Sequence, residues 1–220
     1  MQFILHLSSA NAAVIITNSS ETTPFPVSNS DLLQTSLSGP PVVTGNFTAF
    51  DTPGEPALRD GNDGGTSITD SLTTAIIATD SSVTYAFNVG ANPLGYSIIN
   101  INTFGAWDDG RDRQKISIFY STISAPSTFL TLAAYSFDLP NIKSFSHVGV
   151  MPEAGDPFLA TAVHSIRFLF PDQESGGGGY RELDVIGQAV PEPSAIFLLG
   201  AAALACIATR KRPNTKEIMR

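Results

Sequence analysis

Ser82-Val83-Thr84-Tyr85-Ala86-Phe87-Asn88-Val89 alternates polar and apolar side chains, the period of a strand with one buried and one wet face. The same signal recurs outward from it. Upstream, Ile76-Ile77-Ala78-Thr79 is β-branched. Downstream, Gly95 to Thr103 alternates through Tyr96 and Ile98 and then, after a one-residue slip, through Ile99 and Ile101. Lys115 to Tyr120 puts Ile116, Ile118 and Tyr120 on one face. Thr128 to Phe137 reads as a strand or two, Ser146 to Val150 as one, and Val163 to Phe170 as a strong one. Tyr180 to Ile186 closes the set, with Leu183 and Val185 on one face and Asp184 on the far one. Before the C-terminal tail no stretch carries a 3.6-residue period. Many short strands at this spacing predict an all-β fold, an antiparallel β-sandwich or jelly roll.

The N-terminal part is less regular. Val14 to Thr17 is a short strand candidate, residues 18 to 46 read as Ser/Thr/Pro/Asn-rich loop, and Phe47 to Phe50 as a second short strand. Ala57-Leu58-Arg59-Asp60-Gly61-Asn62-Asp63-Gly64-Gly65-Thr66-Ser67 is a turn whose composition excludes a helix. Pro171 to Ser175 followed by Gly176-Gly177-Gly178-Gly179 reads as a hairpin loop. It lacks the strand–loop–helix context that phosphate binding needs.

The formal charge is −8 with 15% charged residues, which argues against nucleic acid, since phosphates call for basic patches. The single cysteine, Cys206, lies in the tail, so the rest of the chain has neither a disulfide nor thiol chemistry. Without its two ends the chain keeps about 175 residues, enough for one sizeable core.

The tail has three ordered parts. Val190-Pro191-Glu192-Pro193-Ser194 stops regular structure through its prolines. Ala195 to Thr209 is an uncharged apolar run, short against the roughly 20 residues of a spanning helix. Arg210-Lys211-Arg212 supplies the positive flank that holds a membrane segment on the cytoplasmic side. At the other end, Ala10-Asn11-Ala12 fits a signal-peptidase site with the cut after Ala12 or Ala13, although the apolar region Phe3 to Leu7 is short and lacks a basic residue before it. A cytosolic strand is the alternative there, and the tail favours export. The expected organisation is a signal peptide at 1–12, a strand and loop at 13–46, a sandwich at 47–188 and a tail at 189–220 with one transmembrane helix.

Residues 189 to 212 resemble the PEP-CTERM sorting segment of Gram-negative bacteria. The resemblance implies recognition by an exosortase at the inner membrane, processing near the motif, and a cell-surface or extracellular destination. The eight residues after Arg212 depart from it, since such tails usually stop soon after the basic cluster.

A second resemblance rests on Leu58-Arg59-Asp60-Gly61-Asn62, on Trp107-Asp108-Asp109-Gly110-Arg111-Asp112-Arg113 and on Tyr180-Arg181-Glu182-Leu183-Asp184-Val185. These pieces are similar to the galactose-binding-like sandwich of discoidin and coagulation-factor type C domains and related carbohydrate-binding modules, over about residues 45 to 188. It implies a structural Ca²⁺ held by Asp60, Asn62, Thr66 and Glu182, with main-chain oxygens of Arg59 and, as a further candidate, Asp63. An ion of six to eight oxygens suits such a Gly-rich turn. The other reading is an ordinary turn with a solvated glutamate. Trp107, Asp108 and Arg111 are the candidate sugar contacts, a ring for the apolar face and charged groups for hydroxyls. Trp107 as a core plug is the competing reading.

No nucleophile elbow, His-Glu-x-x-His or phosphate loop is present. His147 has no sequence-local carboxylate, His164 is expected on a wet face, and no pair of acids is singled out for glycoside hydrolysis. The expected function is therefore non-enzymatic: an exported surface or matrix protein whose sandwich binds carbohydrate within an exopolysaccharide-rich envelope. A secreted polysaccharide-active hydrolase and a purely structural envelope protein are the alternatives.

Overall fold

The computed structural model describes residues 14–108, 111–138 and 144–192. The chain divides into two units, Met1–Val190 and Pro191–Arg220, and the first contains the sandwich. Its strands are β1 (Val14–Glu21), β2 (Val42–Thr44), β3 (Ala75–Ala78), β4 (Ser81–Ala86), β5 (Tyr96–Trp107), β6 (Gln114–Thr122), β7 (Ala125–Phe137), β8 (Ser144–Pro152), β9 (Ala160–Phe170) and β10 (Gly177–Ala189). All pairings between these strands are antiparallel. One sheet runs β1-β8-β5-β10-β3 and the other β2-β4-β9-β6-β7, and the two join at a corner where Tyr96 pairs with Val163 and Ile98 with Ala160.

The core lies between the sheets. Ile98, Ile101, Leu183 and Val185 from one sheet pack with Val83, Tyr85, Ile118 and Phe168 from the other. In β4 burial alternates at every residue, as the period-two pattern demands. The slip in β5 is a β-bulge. Ile98 pairs with Gly187 and Asn100 with Ile186, so Ile99 is an extra residue pushed outward while Ile98 and Ile101 stay inside.

Four expectations are corrected. Residues 18 to 46 are not a loop outside the sandwich: β1 continues to Glu21, β2 adds an edge strand, and between them α1 (Leu32–Thr35) forms a single capped turn. Phe47 to Phe50 is not a strand; Phe47 enters the core, and Ala49–Asp51 is a 3₁₀ turn. The start of the turn at 57–67 is helical, since Glu55–Leu58 is a 3₁₀ turn with Pro56 in its first turn. The glycines 177–179 form a strand paired with β3. They are small because the backbone passes close to its neighbour: a Cβ on Gly179 would sit 2.7 Å from the carbonyl oxygen of Ala106 and 2.9 Å from Cβ of Trp107.

Among the described residues no helix is long and apolar enough to cross a membrane. The expected signal peptide, the apolar run 195–209 and the basic residues Arg210, Lys211 and Arg212 lie outside the described residues.

Candidate functional site

β10 carries two consecutive charged residues, Arg181 and Glu182, at a β-bulge that breaks the strand's alternation between Tyr180 and Glu182. Arg181 has 1% of its surface exposed. Its Nη1 donates to the carbonyls of Asp63 (2.6 Å) and Gly65 (3.2 Å), and its Nη2 to those of Ser67 and Ile68. Its guanidinium carbon also lies 4.9 Å from the ring centroid of Phe145. The Asp/Gly loop is thus folded around a guanidinium. Its own side chains reinforce the turn: Asn62 Oδ1 accepts from Gly64 N–H and Asp63 Oδ1 from Gly65 N–H, both at 3.0 Å.

Glu182 faces a group of acids. Its Oε2 accepts from Gly61 N–H at 3.2 Å and its Oε1 from Nε2 of Gln34 at 3.0 Å. Gln34 belongs to the capping box of α1, where Asp31 Oδ1 accepts from Leu33 N–H at 2.6 Å and Asp31 N–H donates back to Gln34 Oε1 at 3.0 Å. Asp31 Oδ1 also takes the N–H of Val185, and Asp184 Oδ2 takes that of Ser28 at 2.9 Å. Asp31, Glu182 and Asp184 each bring one carboxylate oxygen into a group whose members all lie within 4.8 Å of one another. Burial, reinforced by Asp184, Asp60 and Asp31, pushes the Glu182 carboxyl up to about 10. Burial, with Asp31 alongside, pushes Asp184 up to about 7. Asp31 and Asp60 are raised by burial as well.

Of the expected calcium residues the structure brings Asp60 and Glu182 into contact, while Asn62 and Thr66 are exposed on the loop. Asp31 and Asp184 were missed. The Asp31-x-x-Gln34 spacing is a readable capping box, but nothing local reveals that a carboxylate on the outer face of the last strand is covered.

The second region surrounds the turn after Phe47. Trp107 leaves 8% of its surface exposed, so most of its side chain is covered, and a Cβ added at Gly179 would lie 2.9 Å from its own Cβ. Asp108 is exposed, and the carbonyl of Arg111 is anchored by Gly179 N–H at 2.7 Å. The exposed aromatic here is Phe50, at 62%. Its backbone is left-handed (φ 61, ψ 34), as is that of Asp51 (φ 56), a conformation that disfavours a bulky side chain. Thr52 pins the turn: its hydroxyl donates to Ala49 O at 3.0 Å and accepts from Ile76 N–H at 3.3 Å. The guanidinium carbon of Arg111 lies 4.6 Å from the Phe50 ring centroid. The two histidines among the described residues sit elsewhere: His147 stacks on Phe104 and meets Asn102 Oδ1 at 3.1 Å, and the half-buried His164 meets Ser165 Oγ at 2.7 Å.

Residues 189–212 match the model of the PEP-CTERM protein-sorting motif. The chain therefore carries the signature of an exported, membrane-sorted protein. No curated protein matches it. Among solved structures it is similar to GH31 CBM32-2 bound to GalNAc, at 13% identity and a TM-score of 0.45 over 67% of this chain and 97% of that one. It is also similar to the family 32 carbohydrate-binding module of Clostridium perfringens NanJ in complex with galactose, at 12% identity and a TM-score of 0.41 over 77% and 92%. A third is the CBM32 of AlyQ in complex with 4,5-unsaturated mannuronic acid, at 15% identity and a TM-score of 0.39 over 66% and 93%.

Proposed function

We propose that this chain is an exported surface or matrix protein, sorted by an exosortase through its C-terminal segment, whose galactose-binding-like sandwich binds carbohydrate without turning it over. Support for the sorting half is the motif match at 189–212. Deleting 190–212 should abolish processing and surface location in the producing cell, and unchanged processing would overturn this half.

The observation that carries the sugar half is Phe50. An aromatic ring held in solvent on a left-handed turn, with a guanidinium against it, is costly for a fold to keep. It suits a pyranose, whose apolar face stacks on a ring while Arg111 and Asp108 reach its hydroxyls. Affinity electrophoresis of the full chain through gels containing galactan, pectin or alginate tests this. Retardation by one polysaccharide, lost in Phe50→Ala and Arg111→Met, is expected, and no retardation by any would overturn it. Asp112, Asp138 and Glu174 bring carboxylate oxygens within 4.8 Å of one another, tighter than the roughly 5–5.5 Å between the carboxyl groups of a retaining glycosidase. Release of reducing ends from a bound polysaccharide would select the hydrolase reading. A structural calcium ion at Glu182 completes the proposal.

A further inference from the structure

We propose that the outer face of the second sheet binds an acidic polysaccharide, with Arg167 as the group that takes a uronate carboxylate. This face shares no residue with the Phe50 turn, so either site can fail without the other.

Strand register sets which side chains share the face. Thr84 of β4 pairs with Arg167 of β9, Arg167 with Phe119 of β6, and Phe119 with Thr131 of β7. Their strand neighbours Val83, Phe168, Ile118 and Leu132 are buried, so this row turns away from the core. Thr131 is exposed and the other three are half-buried. The row crosses four adjacent strands about 4.8 Å apart, a spacing comparable to the length of one pyranose unit.

Arg167 is held in place before any ligand arrives. Its Nε donates to Thr84 Oγ1 at 3.0 Å, and its guanidinium carbon lies 3.8 Å from the ring centroid of Phe129. Among the described residues no carboxylate pairs with it, and its Nη1 and Nη2 donate to no acceptor. That pair of nitrogens matches the two oxygens of one carboxylate through parallel hydrogen bonds. A guanidinium already fixed by a hydroxyl and a ring loses little freedom on binding.

The charge of the sheet selects an anion. The chain has 20 acidic against 12 basic residues, yet β2, β4, β6, β7 and β9 contain no aspartate or glutamate. Their basic residues are Lys115, His164 and Arg167, and Lys115 is paired with Asp172 at 2.5 Å. A polyanion is repelled by an acidic protein as a whole and tolerated on an acid-free face. A polysaccharide suits this face better than an acidic peptide. Strands β4, β9 and β6 are paired on both sides, so they offer a peptide backbone no edge. Phe119 offers a ring to the apolar side of a sugar, and Ser117 and Thr131 offer hydroxyls to its own.

The test is isothermal titration of oligogalacturonate into the full chain and into its Phe50→Ala variant, both in chelator so that calcium cannot bridge carboxylates. Binding to both chains is expected, with no binding of the carboxyl-reduced oligomer or of oligoglutamate. Adding Arg167→Met to Phe50→Ala should weaken binding at least about ten-fold, as loss of a paired charge-assisted contact does. Arg167→Lys should recover only part of this, because an ammonium lacks the fork. Methionine keeps an apolar stem over Phe129, so the Met variant should melt within about 4 °C of its parent, which shows that it is folded. Binding already lost in Phe50→Ala, or unchanged by Arg167→Met, would overturn this site and leave the Phe50 reading standing. Equal binding of oligoglutamate would overturn the assignment to a glycan, and no binding of oligogalacturonate would overturn the proposal outright.

Discussion

The guanidinium of Arg181 donates through Nη1 to the carbonyl oxygen of Asp63 at 2.6 Å, from a side chain 1% exposed. That one bond joins the last strand to the Asp/Gly loop across 118 residues. Three further carbonyls of the loop share the same group. Arg181→Leu strands these carbonyls and should destabilise the fold by about 3 kcal/mol. Arg181→Lys should recover only part of this, because an ammonium lacks the planar fork. Chemical denaturation checks both, and a change below about 1 kcal/mol for Leu would contradict the role assigned to the contact.

The acidic group makes stability depend on pH in an unusual direction. The ordinary values are 3.8 for an aspartate and 4.5 for a glutamate, and burial with neighbouring acids pushes Asp184 up to about 7 and Glu182 up to about 10. Between ordinary and raised values the folded chain keeps protons that the unfolded chain has lost, so stability falls as pH rises. The contribution is complete below the ordinary values and is lost as pH climbs through about 7 toward about 10. His147, lowered by burial from 6.5, acts in the opposite sense below that value, so the acid effect is read above it. In chelator, Tm should decline from about pH 6.5 to 9, and saturating Ca²⁺ should flatten the decline. A Tm that rises over this range in chelator would contradict it.

Phe50 should show stability and binding moving in opposite directions. Its φ of 61 is one that glycine adopts without strain. Phe50→Gly should therefore stabilise the fold by about 1 kcal/mol, less whatever the Arg111 contact contributes, and should abolish retardation by polysaccharide. Thermal unfolding and affinity electrophoresis of one variant test both signs. A loss of stability would mean that the exposed ring serves the fold.

Gly179 tests why the glycine run is a strand. Gly179→Ala places a methyl group against the Ala106 carbonyl and the Trp107 side chain, which should cost about 2 kcal/mol as overpacking. Trp107 is the only tryptophan, so its emission reports whether the ring is displaced. An unchanged spectrum with unchanged stability would show that β10 does not approach β5 this closely.

Alternation along β4, β6 and β9 was legible in the sequence because a strand's period is local: each residue's face follows from its neighbour's. A slip near Ile99 was legible for the same reason, since an extra residue breaks the phase visibly, but the pattern put Ile99 on the face of Ile101, and the bulge turns it outward. The tail was legible too, because its three parts act through order and composition alone. Tertiary structure decided the rest. Asp184 stands at an outward phase of its strand, and it is buried only because the segment 28–34 folds over it, with Val185 N–H reaching Asp31 across 154 residues. Phe50 holds a left-handed backbone that its own propensity opposes, because Thr52 anchors the turn to Ile76. Gly177 to Gly179 became a strand because β3 supplied the partner hydrogen bonds. Local pattern sets which face a side chain takes, and long-range packing sets whether that face meets water, a guanidinium or another carboxylate.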